Sequence, residues 1–486
     1  MTPADFAVAT GNWQAALPGL VVAATGLLVM TLDLFLRGSD RDVLAVLGIG
    51  GLLIAVVGAV FMWQGSAAAA FGNTLRADHY ALFFAVVIGS GSLLTVLLSV
   101  DVLRRQPIPA GEYLTLVLLS TSGMVFLAAA NDLIVLFLAL EIMSVAAYVL
   151  AGLLRHEARS TEAALKYFLL GAFATGFLLY GIAFFYAATG STQLDVIADT
   201  IRHRGLGPYG LIGMALLLVG FGFKVALIPF HVWTPDVYEG SPTAVTAFMA
   251  VGVKAAAFAA FARVFTSGLG GVAESWSGVL WMLAALTMTV GNVTAVAQRS
   301  VKRMLAYSSI AHAGYALMGL VAASRDGGAA LLFYLAVYGL MTLGAFAVLI
   351  AIARRGEHAE EYADFAGLGF RHPVLGAAMT VFMLSLAGFP PLAGFAGKFY
   401  LFSAAISAGY VGLVVIAVLN SLVSVYYYLG VIVQMYMNEG TRTFEAPSAQ
   451  PYVVATILVA AVGTMLIGLL PSGPMEAARV AFLSLG

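Results

Sequence analysis

Apolar runs about as long as a bilayer is thick recur fourteen times along this chain of 486 residues. A helix needs roughly 20 mostly apolar residues to cross the hydrocarbon layer. Runs of that kind lie near 16–36, 43–63, 79–101, 113–130, 132–154, 163–189, 209–230, 243–265, 276–297, 303–322, 329–352, 373–404, 409–435 and 452–470. Inside lipid only helices and closed barrels satisfy every backbone polar group, and the period-two alternation of a barrel is absent here. The sequence therefore predicts an all-α polytopic membrane protein, with these runs as spans 1 to 14. Composition agrees, since 10% of residues are charged where a soluble domain carries about 25%. No Pro/Ser-rich linker or charge block divides the chain. The longest polar stretches, 354–372 and 438–451, read as loops.

The few charges narrow the function. A net charge of −1 leaves no basic footprint for nucleic acid. The absence of cysteine excludes disulfides, thiolate nucleophiles, Fe–S clusters and Cys-ligated zinc, and no metal site is expected. The opening "MTPADFAVATGNW" lacks the positive region of a cleavable signal peptide, so the first span is expected to be retained. Basic residues then set orientation. Loops after odd-numbered spans carry thirteen (Arg37, Arg41, Arg104, Arg105, Arg155, Arg159, Arg299, Lys302, Arg303, Arg354, Arg355, Arg371 and Arg442). The other side carries six (Arg76, Arg202, Arg204, Arg263, Arg325 and Arg479). That bias predicts cytoplasmic odd-numbered loops and both termini on the outer side.

Four basic residues remain, and all four fall inside spans: Lys166, Lys224, Lys254 and Lys398. A charge at the bilayer centre costs about 2.5–3.5 kcal/mol even on the lenient insertion scale. Lys224, Lys254 and Lys398 lie too deep to reach an interface, and Glu141 is equally central in span 5. A single buried Glu–Lys pair can be simple helix-to-helix glue. One deep acid cannot neutralise three deep bases, however, and a lysine short of a partner exchanges its proton more readily. Glu141, Lys224, Lys254 and Lys398 are thus expected to form a proton relay. Lys166 is a secondary candidate, because Glu162 one turn earlier can pair with it and its stem can snorkel. His231 and His312 can relay protons or be simply hydrogen-bonded. Asp236 and Glu239 are expected in a loop between spans 7 and 8, solvated or capping.

Two spans are expected to break. Pro229, in "FKVALIPFHVW", and the pair Pro390 and Pro391, in "LAGFPPLAGFAGK", remove backbone donors and clash with the preceding turn. Irregular backbone at membrane depth is tolerated only against protein or a wet cavity. Broken helices in pairs beside buried ion sites point to a transporter core of inverted repeats. Spans 7 and 12 lie five helices apart, which predicts two inverted five-helix units, spans 4–8 and 9–13. The expected division is three N-terminal helices in 1–110, repeats in 111–266 and 274–437, and a C-terminal helix in 450–486. Lys224 precedes its break, so freed carbonyls should favour its charged form. Lys398 follows its break, near the positive end of the next half-helix, which should favour the neutral form.

The stretches "FKVALIPFHVWTPDVYEGSPTAVTAFMAVGVKAAAFAAF" (223–261), "QRSVKRMLAYSSIAHAGYALMG" (298–319) and "LSLAGFPPLAGFAGKFYLF" (384–402) resemble the antiporter-like membrane subunits of respiratory complex I. Among these the N-type subunits of bacterial NADH:quinone oxidoreductase are most similar, and the likeness runs from about span 3 to span 13. The resemblance implies fourteen spans, inverted repeats and one proton channel. Glu141, Lys224, Lys254 and Lys398 match its relay positions, and Lys166 a less central lysine of span 6. It also implies no redox centre in this chain. Quinone, FMN and Fe–S clusters are expected elsewhere in the complex, with its other membrane and peripheral-arm subunits as partners and a bacterial inner membrane as the location. A subunit of a multisubunit cation/proton antiporter, or of a ferredoxin-driven photosynthetic-type complex, would use the same residues.

Overall fold

The computed structural model describes residues 13–36, 42–65, 67–353, 359–440 and 450–485. Thirteen helices among them are long and apolar enough to span a bilayer: Trp13–Asp33, Asp42–Met62, His79–Arg105, Ala110–Ala129, Leu133–Ala151, Ala158–Thr189, Gly207–Val225, Thr243–Gly268, Gly270–Val296, Val301–Val321, Arg325–Ile352, Val411–Met437 and Pro451–Leu469. Span 12 is the exception, split into Pro373–Ala387 and Ala393–Ser407. Arg37, Arg41, Arg354, Arg355 and Arg442, which contribute to the charge bias, lie outside the described residues.

Local chemistry sets the helix ends. Asp78 starts span 3 by accepting from the Ala81 amide at 2.8 Å, and Asp132 starts span 5 by accepting from Ile134 at 2.8 Å. Ser300 and Ser324 cap spans 10 and 11 in the same way. Span 14 takes its cap from another helix: Asp101 of span 3 accepts from the Tyr452 and Val453 amides, each at 3.0 Å.

Three spans form the centre. Spans 8, 10 and 11 are buried over 100%, 94% and 89% of their most apolar stretch, against 33% for span 6 and 28% for span 14. Spans 9 and 10 touch backbone to backbone, because a Cβ on Gly291 would sit 2.8 Å from the Ala311 nitrogen. Span 8 is not uniformly α-helical. It widens into π-turns at Met249–Val253, immediately before Lys254, and again at Val264–Gly268. Such turns inside helices are frequent at functional sites.

The breaks fall where the prolines predict, and both take the same form. Span 7 ends at Val225, Ala226 takes a left-handed φ of +63°, and the Leu227 amide reaches back to the Gly222 carbonyl at 2.7 Å. The first half of span 12 ends at Ala387, Gly388 takes a φ of +93°, and the Phe389 amide reaches back to Leu384 at 3.0 Å. The Ile228–Pro229 and Pro390–Pro391 peptides are both cis.

Several elements differ from expectation. Asp236 and Glu239 lie not in a loop but on a short helix, Trp233–Gly240. Two further helices, Leu194–Arg204 and Ser472–Leu483, follow spans 6 and 14, and a small hairpin pairs Ala68–Ala70 with Leu75–Ala77. The Ser472–Leu483 helix packs on spans 3 and 11. Arg263 and Lys302 are not interfacial charges but buried ones. Arg263 forms a bidentate pair with Asp78 at 2.7 and 2.8 Å, and Lys302 pairs with Glu360 at 2.8 Å.

Candidate functional site

Desolvated charge is concentrated around the central spans. Lys224, Lys254 and Lys398 are each buried. Among the described residues none of the three has a carboxylate within ion-pairing distance. Each is held instead by neutral oxygens and aromatic faces, which stabilise an ammonium group without cancelling its charge.

Lys224, on the last turn of span 7, lies over the rings of Tyr148 and Tyr167 at 5.2 and 5.4 Å. Its ammonium is 3.5 Å from the Tyr148 hydroxyl. Thr175, which bonds the Gly171 carbonyl at 2.9 Å, also lies 3.0 Å from Glu141 Oε1. The hydroxyls of Thr175 and Tyr148 thus both stand beside Gly171, one toward Glu141 and one toward Lys224. Room for them comes from Gly171, where a Cβ would lie 2.1 Å from the Tyr148 oxygen. Glu141 itself is only half-buried, on a face of span 5 where Leu138 and Ile142 are also exposed.

Tyr167 continues the line. Its ring stacks on Trp233 with centroids 4.4 Å apart. Among the described residues its buried hydroxyl has no hydrogen-bond partner, nor does that of Thr234. Thr234 and Tyr238, four residues apart, share a face of the helix Trp233–Gly240. Tyr238 is buried where this helix packs on span 10, which carries Ser309. Lys254 donates to the Ser309 carbonyl at 2.6 Å and also contacts the Ser309 hydroxyl, with the Tyr338 ring 5.7 Å away.

His312 is the next group. Its Nδ1 is 2.6 Å from the Tyr334 hydroxyl and its Nε2 is 3.0 Å from the Tyr428 hydroxyl. His312 lies on span 10 three residues beyond Ser309, the hydrogen-bond partner of Lys254. Lys398 donates to the Leu386 and Ala387 carbonyls at 3.1 and 2.9 Å and to Ser421 at 2.8 Å, and lies 4.9 Å over the Tyr315 ring. This reverses the expected helix-end effect. The carbonyls freed by a break go to Lys398, which reaches back across the Pro390–Pro391 turn, whereas Lys224 binds none among the described residues. Its place eleven residues beyond Ala387 permits that return, and its direction is a tertiary fact invisible in the sequence.

Lys166 stands apart from this line. It pairs with Glu162 at 2.6 Å, as the spacing predicts, and with Asp236 at 2.7 Å, which the spacing does not predict. Arg303 joins Asp236 at 3.0 Å and also contacts Glu239. These side chains surround a cavity of about 200 Å³ opening on the face that carries Arg159. Asp236 lies between the two cations: burial opposes its ionisation, but Lys166 and Arg303 together hold its carboxyl below the usual range. His231 lies half-buried in the break of span 7, next to an exposed Val232, and among the described residues its buried Nδ1 has no hydrogen-bond partner. Pro229, Pro390 and Pro391 occupy the two turns and touch no relay proton themselves.

The family model "NADH:quinone oxidoreductase/Mrp antiporter, TM" fits residues 130–424. NADH-quinone oxidoreductase subunit N of Trichlorobacter lovleyi is 45% identical over 474 residues, covering 97% of both chains. Its counterpart from Chloroflexus aggregans is 47% identical over 463 residues, covering 94% of both. The chain belongs to the NADH-quinone oxidoreductase subunit N family. A chain of respiratory complex I from Thermus thermophilus superposes with a TM-score of 0.81 at 40% identity, over 95% of this chain and 99% of that one. A chain of the Mrp complex from Dietzia has the same fold, with a TM-score of 0.85 at 21% identity over 98% of each. The region that fits the family model begins just before span 5, so it contains Glu141, Lys224, Lys254 and Lys398 but excludes the first four spans.

Proposed function

We propose that this chain is a proton-translocating membrane subunit of NADH:quinone oxidoreductase, complex I, in a bacterial inner membrane. Protons move along Glu141, Lys224, Lys254 and Lys398, and the driving energy comes from quinone reduction elsewhere in the complex. Full-length similarity to subunit N proteins supports the assignment to that complex. One observation carries the relay: three buried lysines lack carboxylate partners among the described residues, and each is in contact with a hydroxyl group.

Each part has a physical role in this reading. A lysine held by neutral oxygens exchanges charge with its neighbours at lower cost than one locked in an ion pair. Tyr148, Tyr238 and Ser309 carry the proton between lysines without a net charge of their own. The orphan hydroxyls of Tyr167 and Thr234 need partners, and water bridging Lys224 to Lys254 supplies them. The cluster of Lys166, Asp236, Glu239 and Arg303 forms the mouth above Lys224. His312 passes protons between Lys254 and Lys398.

The same reading divides the chain into three leading helices, five-helix units of spans 4–8 and 9–13, and the C-terminal segment. The shared form of the two breaks supports that division. FMN, Fe–S clusters and quinone belong to other subunits, and both termini face outward. The test is twofold. The chain should copurify with an NADH-oxidising module, and Lys254→Ala should leave the complex assembled while abolishing coupled proton transfer. Normal pumping by that variant would remove the relay from consideration.

A further inference from the structure

An ammonium group has three N–H donors, and Lys398 has an acceptor for each: the Leu386 carbonyl at 3.1 Å, the Ala387 carbonyl at 2.9 Å and the Ser421 hydroxyl at 2.8 Å. The Tyr315 ring lies 4.9 Å from the same ammonium, and a desolvated cation is well held by an aromatic face at that distance. This ring differs from the others that face a relay lysine. The Tyr167 and Tyr338 hydroxyls have no hydrogen-bond partner among the described residues, and the Tyr148 hydroxyl lies 3.5 Å from Lys224 itself. The Tyr315 hydroxyl instead accepts from the side-chain amide of Asn292 at 3.2 Å, so its ring is fixed from a neighbouring span.

Asn292 is itself held on every side. It is buried in span 9. Its amide nitrogen donates both to the Tyr315 hydroxyl and to the Met288 carbonyl at 2.8 Å, and its Oδ1 accepts from the Tyr427 hydroxyl of span 13 at 2.7 Å. A polar side chain in a span is often no more than glue between helices. Spans 9 and 13 are already joined by Asn420, however, which donates to Thr289 Oγ1 at 3.1 Å, and that bond does not involve Tyr315. Glue between these two spans therefore leaves the bond from Asn292 to Tyr315 unexplained. Ser421, an acceptor for Lys398, follows Asn420 directly in span 13. The two spans that fix the ring thus also place one hydrogen bond of the ammonium.

We propose that Asn292 is a positioning residue for Lys398: through the Tyr315 hydroxyl it fixes the aromatic face against which the ammonium rests, and Tyr427 fixes Asn292 in turn. The inference rests on the relay reading above and adds a support that the relay residues do not include. Asn292 acts through Tyr315 and takes no proton itself.

The test uses the assembled complex in inverted membrane vesicles, with NADH-driven proton uptake divided by the amount of complex on a native gel. Asn292→Leu and Tyr315→Phe should each lower uptake about fivefold, the scale of a weakened ring contact. Tyr315→Phe keeps the ring, so it carries the test even where Asn292→Leu depletes the complex. The double variant should lose no more than either single variant, whereas two independent packing defects would multiply. Thr289→Val removes the other bond between spans 9 and 13 and should pump at the wild-type rate. A loss equal to that of Asn292→Leu would reduce Asn292 to glue and overturn the proposal. Lys398→Met is measured alongside. If it stops pumping while Asn292→Leu and Tyr315→Phe pump at the wild-type rate, the positioning role is overturned and the relay stands. If Lys398→Met itself pumps normally, the relay fails first and the positioning role with it.

Discussion

Lys398 Nζ donates to the Ala387 carbonyl at 2.9 Å, an oxygen set free where span 12 breaks eleven residues earlier in the chain. The side chain both stands in the proposed proton line and closes the backbone gap. Lys224 does only the former, since its one hydrogen-bond contact among the described residues is the Tyr148 hydroxyl at 3.5 Å. The two lysines therefore differ in what their removal should cost. Lys398→Met leaves the Leu386 carbonyl without its donor, a penalty of about 1–3 kcal/mol, and leaves the Ala387 carbonyl with only the Ser421 hydroxyl at 3.3 Å. Lys224→Met removes a desolvated charge that has no strong partner, a change often neutral for stability. Both should abolish coupling, but only Lys398→Met should lower the thermal transition of the complex. Equal transitions would contradict the backbone role.

Gly171 bears on the first step of the relay. A methyl group there would meet the Tyr148 oxygen at 2.1 Å, so Gly171→Ala must displace the hydroxyl that stands between Thr175 and Lys224. Coupled proton transfer should drop severalfold, and Tyr148→Phe should drop it to the same degree, because both variants delete the same bridge. Combining them should add nothing further, which a double-mutant comparison of pumping rates checks.

The contrast between lysines and hydroxyls explains what the sequence could and could not reveal. Lys254 is conspicuous because a charge in the middle of "TAVTAFMAVGVKAAAFAAF" has no inexpensive explanation. Tyr148, Thr175 and Ser309 are not conspicuous, since hydroxyls in spans commonly bond their own helix, as Thr25 does to Val21 and Thr31 to Leu27. The prolines marked the breaks, but not the helix Trp233–Gly240 that follows the first one. The π-turn before Lys254 has no residue signature, because "MAVGV" suits an α-helix equally well. Arg263 looked interfacial because it lies near the end of span 8, and its partner Asp78 is distant in sequence. Apart from that helix and that turn, what the sequence hides is tertiary pairing.

Asp236 makes the mouth cluster a carboxylate-dependent lock. Its carboxyl is held below the usual range despite partial burial. A depressed folded value means that its contribution is present in full above the ordinary carboxylate pKa of about 4 and is lost only as pH falls through the lower folded value. The pairs with Lys166 and Arg303 should thus be intact throughout about pH 6–8. Asp236→Asn should change the turnover rate by a constant factor over that interval without moving the pH optimum. A shifted optimum in rate measurements across the same interval would assign a titrating group to this mouth and argue against a permanently charged lock.

The Arg263–Asp78 pair offers a test of structure separate from transport. Both side chains are almost wholly buried, their forks meet at 2.7 and 2.8 Å, and Arg263 Nε donates to the Ala128 carbonyl at 3.0 Å. This one guanidinium therefore ties span 8 to the start of span 3 and the end of span 4. Arg263→Met strands the Asp78 carboxylate in a buried site, which should cost about 3–5 kcal/mol and deplete assembled complex in the membrane. Asp78→Asn alone leaves Arg263 half-satisfied and should also deplete it, though less. The double variant should recover most of the loss, because the side-chain amide introduced by Asp78→Asn keeps an oxygen for the Ala81 N–H while no unpaired charge remains. Quantifying assembled complex for the wild type, both single variants and the double variant completes the cycle. Recovery requires that the pair serve specificity of packing and not proton movement, so the double variant should also pump at a rate proportional to the amount assembled.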